Sequence, residues 1–496
     1  MQIKLIRGFL MNYKLHSLVA ATLTSSLLMG FGVNAMADST FDLVQALVAK
    51  GVLTEEEAIP LMKGRENDIQ LADKKVKKAA RLTVSDAIDN ATVYGDIRVR
   101  YEDRSGNDSL NVDETRERAR YKVTLGVKTE SGDWYSDLAL STGAGGRSDN
   151  ATFGRAATTS LDDKETVFVK RAMLGYKATD WLALEVGRMN NPLYTTPMVW
   201  DADLNFEGLA EKVNYKLNDA ELFFTAAQAQ YQGDRQRFSN STTPDKITTE
   251  LFAFQGGAKY LFNDHTSAKA ALTYTTLSHN TSTTSFKPGF ANDGAGNAAS
   301  VTALSATSNK VTPAKAGYSI AASGVNDLDT IEIPAEFNYM VNNNVGVRLF
   351  GDYVYNTSGD DRAKNSGLAA AANGSSGSDD SAWLLGVAVG SAKDFKAFEG
   401  NKMAKGDWSA RIWYQDVGVW SVDANAVDSD FMDSRVNMKG TILKAQYNVT
   451  DNVYTNFSYG HAKRKNNTFG SAGAGGDLAL NLDSFDLIQL DLTYKF

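Results

Sequence analysis

The chain contains no cysteine. That excludes a disulfide framework and any thiolate metal site, and it suits export through an oxidising compartment. Histidine is nearly as scarce, with four in 496 residues. Beyond residue 37 they are His265, His279 and His461, far apart and without metal-ligand spacing. No nucleophile motif lies near any of them, which leaves an outer-membrane hydrolase without a base. Long apolar runs are missing too: after residue 37 no stretch of 18 apolar residues occurs, so no transmembrane helix is available. There is no basic excess either. Lys and Arg number 51 against 59 Asp and Glu, a formal charge of −8, which argues against a nucleic-acid partner.

What is present begins with an export-type leader. Lys4, Arg7 and Lys14 precede a run of uncharged apolar or small residues from Leu18 to Val33, and Ala35-Met36-Ala37 fits the small-x-small cleavage pattern. Residues 1–37 are therefore expected to be a signal peptide, cut between Ala37 and Asp38 to leave 459 residues. The cut lowers the 51 basic residues to 48 against 59 acidic ones, a charge of −11. Residues 38–90 read as a helical periplasmic segment and linker. Phe41, Leu43, Val44, Leu47 and Val48 have helical spacing before Gly51, and Thr54 with Glu57 is a capping-box pattern. Ile69, Ala72, Val76 and Ala79 follow heptad spacing, but two heptads are too few to hold a coiled-coil trimer alone.

From residue 91 the period becomes two. Val93, Gly95, Ile97, Val99 and Tyr101 alternate with Tyr94, Asp96, Arg98 and Arg100. At the other end Ile488, Leu490, Leu492, Tyr494 and Phe496 alternate with polar residues. About sixteen strands are expected over 91–496, with fourteen or eighteen as alternatives, because the 392–407 connection interrupts an otherwise regular alternation. Short turns such as Ser131-Gly132-Asp133 and Thr450-Asp451-Asn452 alternate with long segments such as 143–165, 277–328 and 417–438. Aromatics at strand ends, among them Trp134, Trp181, Tyr260, Trp408 and Tyr447, suggest interfacial girdles. With no spanning helix, a membrane protein of this kind must close on itself. The expected fold is all-β: a transmembrane antiparallel up-and-down β-barrel with a short N-terminal helical periplasmic segment.

Parity then assigns the charges. If Val99 and Tyr101 touch lipid, Arg98 and Arg100 face the lumen. Arg118, Arg120 and Lys122 follow from the next strand. The alternative register costs about 2–4 kcal/mol per charge at mid-membrane. Arg171, Lys269, Arg348, Arg411 and Lys444 follow by the same parity, against the inward acids Asp96, Glu185, Glu332, Glu336, Asp352 and Asp491. The loop 188–208 has two prolines, bulky apolar residues and the acids Asp201, Asp203 and Glu207. It is expected to fold inward and set these acids against the arginines, a transverse field that excludes apolar solutes. The alternative is an ordered outer cap. Alternating oxygens at 201–207 resemble a calcium pattern, but the glycine and distal glutamate of a calcium loop are absent, so no metal is expected. No cofactor is expected.

The segment 185–209 resembles the bacterial putative-porin family. Its Gly187, Arg188, Asn191 and Pro192, followed by Trp200, Asp201, Asp203, Leu204, Asn205, Glu207 and Gly208, match a Gly-Arg…Asn-Pro…Trp-Asp-x-Asp-Leu-Asn-x-Glu-Gly pattern. The resemblance is sharpest over 166–216. It implies an outer-membrane porin, a passive diffusion channel for small hydrophilic solutes or ions. Its surroundings would be outer-membrane lipid and lipopolysaccharide, with a homotrimer as a further implication. Ten inward cations against six acids suggest a mild anion preference. The competing readings are an adhesin or structural outer-membrane protein, and a phosphate- or anion-selective channel.

Overall fold

The computed structural model describes residues 88–108, 112–143, 148–154, 165–232, 249–278, 327–365, 373–391 and 404–496. Excepted within these are 376, 378, 425, 429, 468, 470, 472–476 and 479–481. The expected signal peptide, and the expected helical segment up to residue 87, lie outside the described residues. Residues 83–496 form a unit of their own.

That unit is a closed antiparallel sheet. Its barrel strands are β1 (Asn90–Asp108), β2 (Asp113–Ser131), β3 (Trp134–Gly143), β4 (Thr166–Thr179), β5 (Leu182–Asn190), β6 (Asn205–Leu217), β7 (Ala220–Gln232) and β8 (Thr249–Asn263). They continue as β9 (Thr266–Leu277), β10 (Thr330–Met340), β11 (Gly346–Asn356), β12 (Ser381–Gly390), β13 (Trp408–Val417), β14 (Met438–Asn448), β15 (Val453–Arg464) and β16 (Leu482–Lys495). A two-residue strand, Ala151–Thr152, adds to β2 beside Tyr121 and Arg120. Each barrel strand pairs with its sequence neighbours, and β16 closes on β1 from Asp96↔Lys495 to Asn107↔Ser484. Closure satisfies the edge groups that a spanning sheet would otherwise leave unpaired in lipid. The count is sixteen. The 392–407 connection does not disturb it, because Gly390 pairs with Ser409 across the β12–β13 hairpin.

Period-two patterning fixes which face is which. Leu125, Leu138, Val186, Leu222, Leu272, Leu349, Leu385 and Leu490 stand between 43% and 56% exposed, while their strand neighbours of opposite parity are turned in. Fully removing such a side chain from water is worth about 1.5–3 kcal/mol. A continuous ring of them left in water would be untenable, and hydrocarbon is the solvent that suits it. Trp134, Trp181, Tyr260, Phe262, Tyr339, Trp408, Tyr447 and Phe496 are exposed near the short-turn end, while Tyr353 and Tyr355 are exposed toward the long-loop end. Together they occupy the two interfacial levels.

The barrel interior holds two apolar clusters. One joins Met198 and Val199 of the β5–β6 loop to Val354, Leu384, Trp413 and Val417 of the wall and to Trp420, Val422, Phe431 and Val436 of the β13–β14 segment. The other joins Met189, Leu193 and Phe206 to Ala210, Ala227, Ala253 and Leu277. Long connections therefore fold back into the barrel and are packed there.

Candidate functional site

The first strand pair carries the densest charge. Its even-numbered residues point inward, so Arg98, Arg100, Glu102 and Arg104 of β1 share a face with Arg118, Arg120 and Lys122 of β2. The Arg100 guanidinium donates to both carboxylate oxygens of Asp491 on β16, at 2.7 and 2.9 Å, and to Asp430 at 2.8 Å. Glu102, fully buried, receives Arg104 at 3.0 Å, Arg118 at 2.7 Å and the Gln489 amide at 2.7 Å. Arg104 also reaches Asp433 at 3.1 Å, and Arg118 also binds Asp477. Arg120 donates to the Ser148 hydroxyl at 2.8 Å, Arg98 to the Asn150 amide oxygen at 2.5 Å, and Lys122 lies 3.3 Å from Asp96.

The closest partners of Arg98 and Arg120 are thus neutral, while Arg100, Arg104 and Arg118 are compensated ion by ion. Three of their partners, Asp430, Asp433 and Asp477, come from inserted segments rather than from strands. Burial opposes ionisation of Asp430, but Arg100, Arg104, Lys444 and Arg98 outweigh it and hold its carboxyl well below the ordinary aspartate value. Asp477 is likewise held low against its burial by Arg104 and Arg118. Asp433 receives the Arg435 guanidinium and the backbone amides of Asp477 and Leu478, at 3.1, 2.7 and 3.0 Å. It sits at φ 55°, directly after Met432 at φ 53°. Two successive non-glycine residues in the left-handed region are costly unless held from outside, and the buried carboxylate supplies that hold.

The loop 188–208 departs from expectation in part. Residues 191–204 do turn into the barrel. The Tyr194 backbone exchanges two 2.8 Å hydrogen bonds with the Gln255 amide on β8. The Thr195 hydroxyl donates to Glu332 on β10, and the Thr196 hydroxyl donates to Asp352 on β11 at 2.5 Å. Asp201 donates its amide to the Ala426 carbonyl at 2.6 Å, so this loop also meets the β13–β14 segment. The three loop acids do not act together. Asp201 is buried, and its carboxylate accepts the Asp203 amide at 2.9 Å, a local turn bond. Asp203 approaches Lys170 at 3.8 Å. Burial works against its charge, but Lys170, Lys122 and Arg98 keep the carboxyl below its usual value. Glu207 corrects the expectation. It belongs to β6, shares the outward parity of Leu209, is largely exposed, and pairs with Arg188 on β5. It is a strand residue, so it is not carried inward with the loop.

The remaining pattern residues explain one another by register. Gly187 lies opposite Gly208, and Arg188 opposite Glu207, across the β5–β6 pair. Gly187 has φ 114°, and a Cβ there would stand 2.3 Å from the Ala172 carbonyl oxygen; at Gly208 a Cβ would stand 1.9 Å from the Gln228 carbonyl oxygen. Both positions need glycine because backbone passes close. Asn191 caps a turn by accepting the Leu193 amide at 3.0 Å. Asn205 donates to the Asp203 carbonyl at 3.1 Å. Trp200 packs edge-on against Phe206, with ring centroids 5.2 Å apart. Pro192 leads into the turned-in stretch and borders the cavity described next.

Sequence parity missed several residues that matter. Glu102 and Arg104 continue the even-numbered series of β1 one turn past Tyr101 and were legible by extension. Asp137 of β3, which binds Arg171 at 3.0 Å, follows from the same rule. Lys170 does not: it is the extra residue where the β3–β4 register shifts, so it and Arg171 both turn inward.

The opposite wall differs in kind. Beneath the turned-in loop, a cavity of about 340 Å³ is bordered by Tyr194, Phe223 and Gln255, by Lys212, Lys259 and Lys269, and by Glu221. Lys212 binds Glu185 at 2.6 Å. The Lys269 ammonium lies 3.9 Å from the Tyr194 ring centroid and 4.9 Å from that of Phe223.

Residues 102–496 match the family described as putative porin. No curated protein matches the chain. Among solved structures, an OmpF of Salmonella typhi complexed with daunomycin is 13% identical, covering 83% of this chain and 99% of that one at a TM-score of 0.42. The outer membrane channel DcaP of Acinetobacter baumannii is 13% identical, covering 83% and 99% at 0.40. A triple mutant of the Rh. blastica porin is 13% identical, covering 82% and 100% at 0.36. With the family matched over most of its length and the barrel closed strand by strand, the chain belongs to the putative porin family and is an outer-membrane porin.

Proposed function

We propose that this porin is a passive diffusion channel for small hydrophilic solutes and ions, narrowed by the turned-in stretch 191–204 and mildly selective for anions. The observation that carries the reading is the loop's anchorage. Gln255, Glu332 and Asp352, on three inner-wall strands, hold it across the barrel while leaving charged wall on either side. A loop tethered at both ends and in the middle narrows a path without sealing it. Asp203 opposite Lys170, Lys122 and Arg98 supplies a local transverse field.

Anion preference draws on the lysines of the β6–β9 wall more than on Arg100, Arg104 and Arg118, whose charge is already matched by carboxylates. That matching also argues against a phosphate-selective arginine ladder, since Arg100, Arg104 and Arg118 have their donors committed. Residues 1–37 act as a cleaved signal, so the mature protein begins at Asp38; intact mass of the outer-membrane form tests this. Lipid and lipopolysaccharide surround the apolar belt, and a homotrimer is the assembly we assign.

The test is conductance of the purified protein in planar bilayers. Ohmic steps with a zero-current potential favouring chloride in a KCl gradient are expected. A folded barrel that inserts and carries no current overturns the channel reading. A potential favouring potassium overturns the anion preference alone.

A further inference from the structure

Two of the lysines bordering the cavity under the loop stand side by side on neighbouring strands. Lys259 and Lys269 are direct cross-strand partners on β8 and β9. Like charges placed opposite one another destabilise a sheet; the outer cross-strand neighbours of this pair are acids, Glu221 for Lys259 and Glu336 for Lys269. Neither lysine makes an ion pair within 4.0 Å among the described residues. Glu336, which faces Lys269 across β9–β10, turns instead toward Arg348 at 3.8 Å and accepts the Asn338 amide at 3.2 Å. Glu221 lies opposite Lys259 across β7–β8 and borders the cavity, but it closes an ion pair within 4.0 Å with neither lysine among the described residues. What Lys269 meets is aromatic: the faces of Tyr194 and Phe223. Phe223 in turn lies over Gly257, where a Cβ would fall 2.2 Å from the ring. That glycine leaves room for the ring against the wall. The result is a recess with two ammonium groups that close no ion pair within 4.0 Å among the described residues, two ring surfaces, and Thr225 and Gln255 in its lining.

We propose that this recess is a binding subsite for small organic carboxylates carrying a flat apolar part, held weakly on their way through the channel. The carboxylate would sit between the ammonium groups of Lys259 and Lys269, and the apolar part against Tyr194 and Phe223. Charge selects the anion; the rings favour an aromatic acid over an equally charged inorganic ion. The proposal rests on the channel reading and adds a location and a chemical class to it.

Benzoate is the probe, with benzyl alcohol and inorganic phosphate as controls. Benzoate should produce brief interruptions of single-channel current, more readily when added on the short-turn side of the bilayer. Benzyl alcohol should produce none, and phosphate should need much higher concentration. Lys259→Gln removes one ammonium without touching the loop, and Lys269→Gln removes the other. Each should raise the half-blocking benzoate concentration about five- to tenfold, the weight of one close charge pair in a wet site. Block that is absent from the native channel, or unchanged in both variants, overturns the subsite. If the barrel inserts but conducts nothing, the channel reading fails by itself. Benzoate titration of the detergent-solubilised barrel by NMR then decides the subsite separately: saturable shifts at Phe223 that Lys259→Gln weakens support it, and their absence overturns it.

Discussion

The two sides of the barrel interior solve the problem of buried charge in opposite ways. On the β16–β1–β2 side, arginines are matched by Glu102, Asp491 and three acids from inserted segments, until guanidiniums as enclosed as Arg104 are tolerable. On the β6–β9 side, Lys259 and Lys269 border open space, and Lys269 has rings as neighbours. Arginine suits the first role because its planar fork binds two oxygens at once, and lysine suits the second because a single hydrated charge is cheap to leave facing water. A wall rich in positive charge is therefore not by itself a selectivity device. What matters is the charge left after local partners are counted.

The strongest way to break the contrast is Glu102→Gln. It strips a fully buried carboxylate from Arg104 and Arg118, and breaking such a pair costs about 3–5 kcal/mol. Thermal unfolding of the detergent-solubilised barrel should move to markedly lower temperature. Lys259→Gln removes an exposed charge that closes no ion pair within 4.0 Å among the described residues, so its melting should stay near that of the native protein while its benzoate block changes. Comparable melting losses in both variants would erase the distinction.

Thr196→Val comes next. It removes the donor to buried Asp352 and leaves that oxygen without its partner, a local cost of about 1–3 kcal/mol. The loop should loosen, and open-channel noise should rise without loss of the barrel.

Acid sharpens the contrast at smaller scale. Asp430 and Asp477 have folded-state values depressed below the ordinary 3.8. Their contribution is therefore complete above 3.8 and is lost as pH falls from there through the depressed values. Hydrogen exchange of amides 426–436 should be flat from neutral pH to about 4, once the intrinsic rate is corrected, and should quicken below. Quickening already near pH 6 would contradict the pairing. The smallest effect belongs to Arg188→Gln. Its pair with Glu207 is exposed on the outer face, and exposed pairs contribute about 1 kcal/mol or less.

The same contrast marks what was readable in the chain. Strand positions, the closing strand and the inward parity of Arg98, Arg100, Arg118, Arg120 and Lys122 follow from a period of two, which is a local property. The turned-in loop was readable from its prolines and bulky apolar residues, which must pack on something. The partners were not. Arg100 and Asp430 are 330 positions apart, and Arg118 and Asp477 are 359 apart. No periodicity links a strand to a segment that folds back onto it. Glu207 was misplaced for a related reason. It belongs to a run of acids that reads as one loop, but β6 begins at Asn205, so strand parity governs Glu207 instead. The family pattern around it carries geometry more than chemistry: Gly187 opposite Gly208, and Arg188 opposite Glu207, register one hairpin.

The bidentate contact between Arg100 and Asp491 joins residues 391 positions apart, on the first and last barrel strands. Closing a span of that length costs about 5 kcal/mol in chain entropy before any contact returns it. Asp430 docks on the same guanidinium, so its seat is complete only after the two terminal strands have met. The expected order of assembly is therefore that the cylinder zips shut first and the inserted segment with Trp420 settles afterwards. A time-resolved refolding experiment should see strand formation lead and indole burial trail.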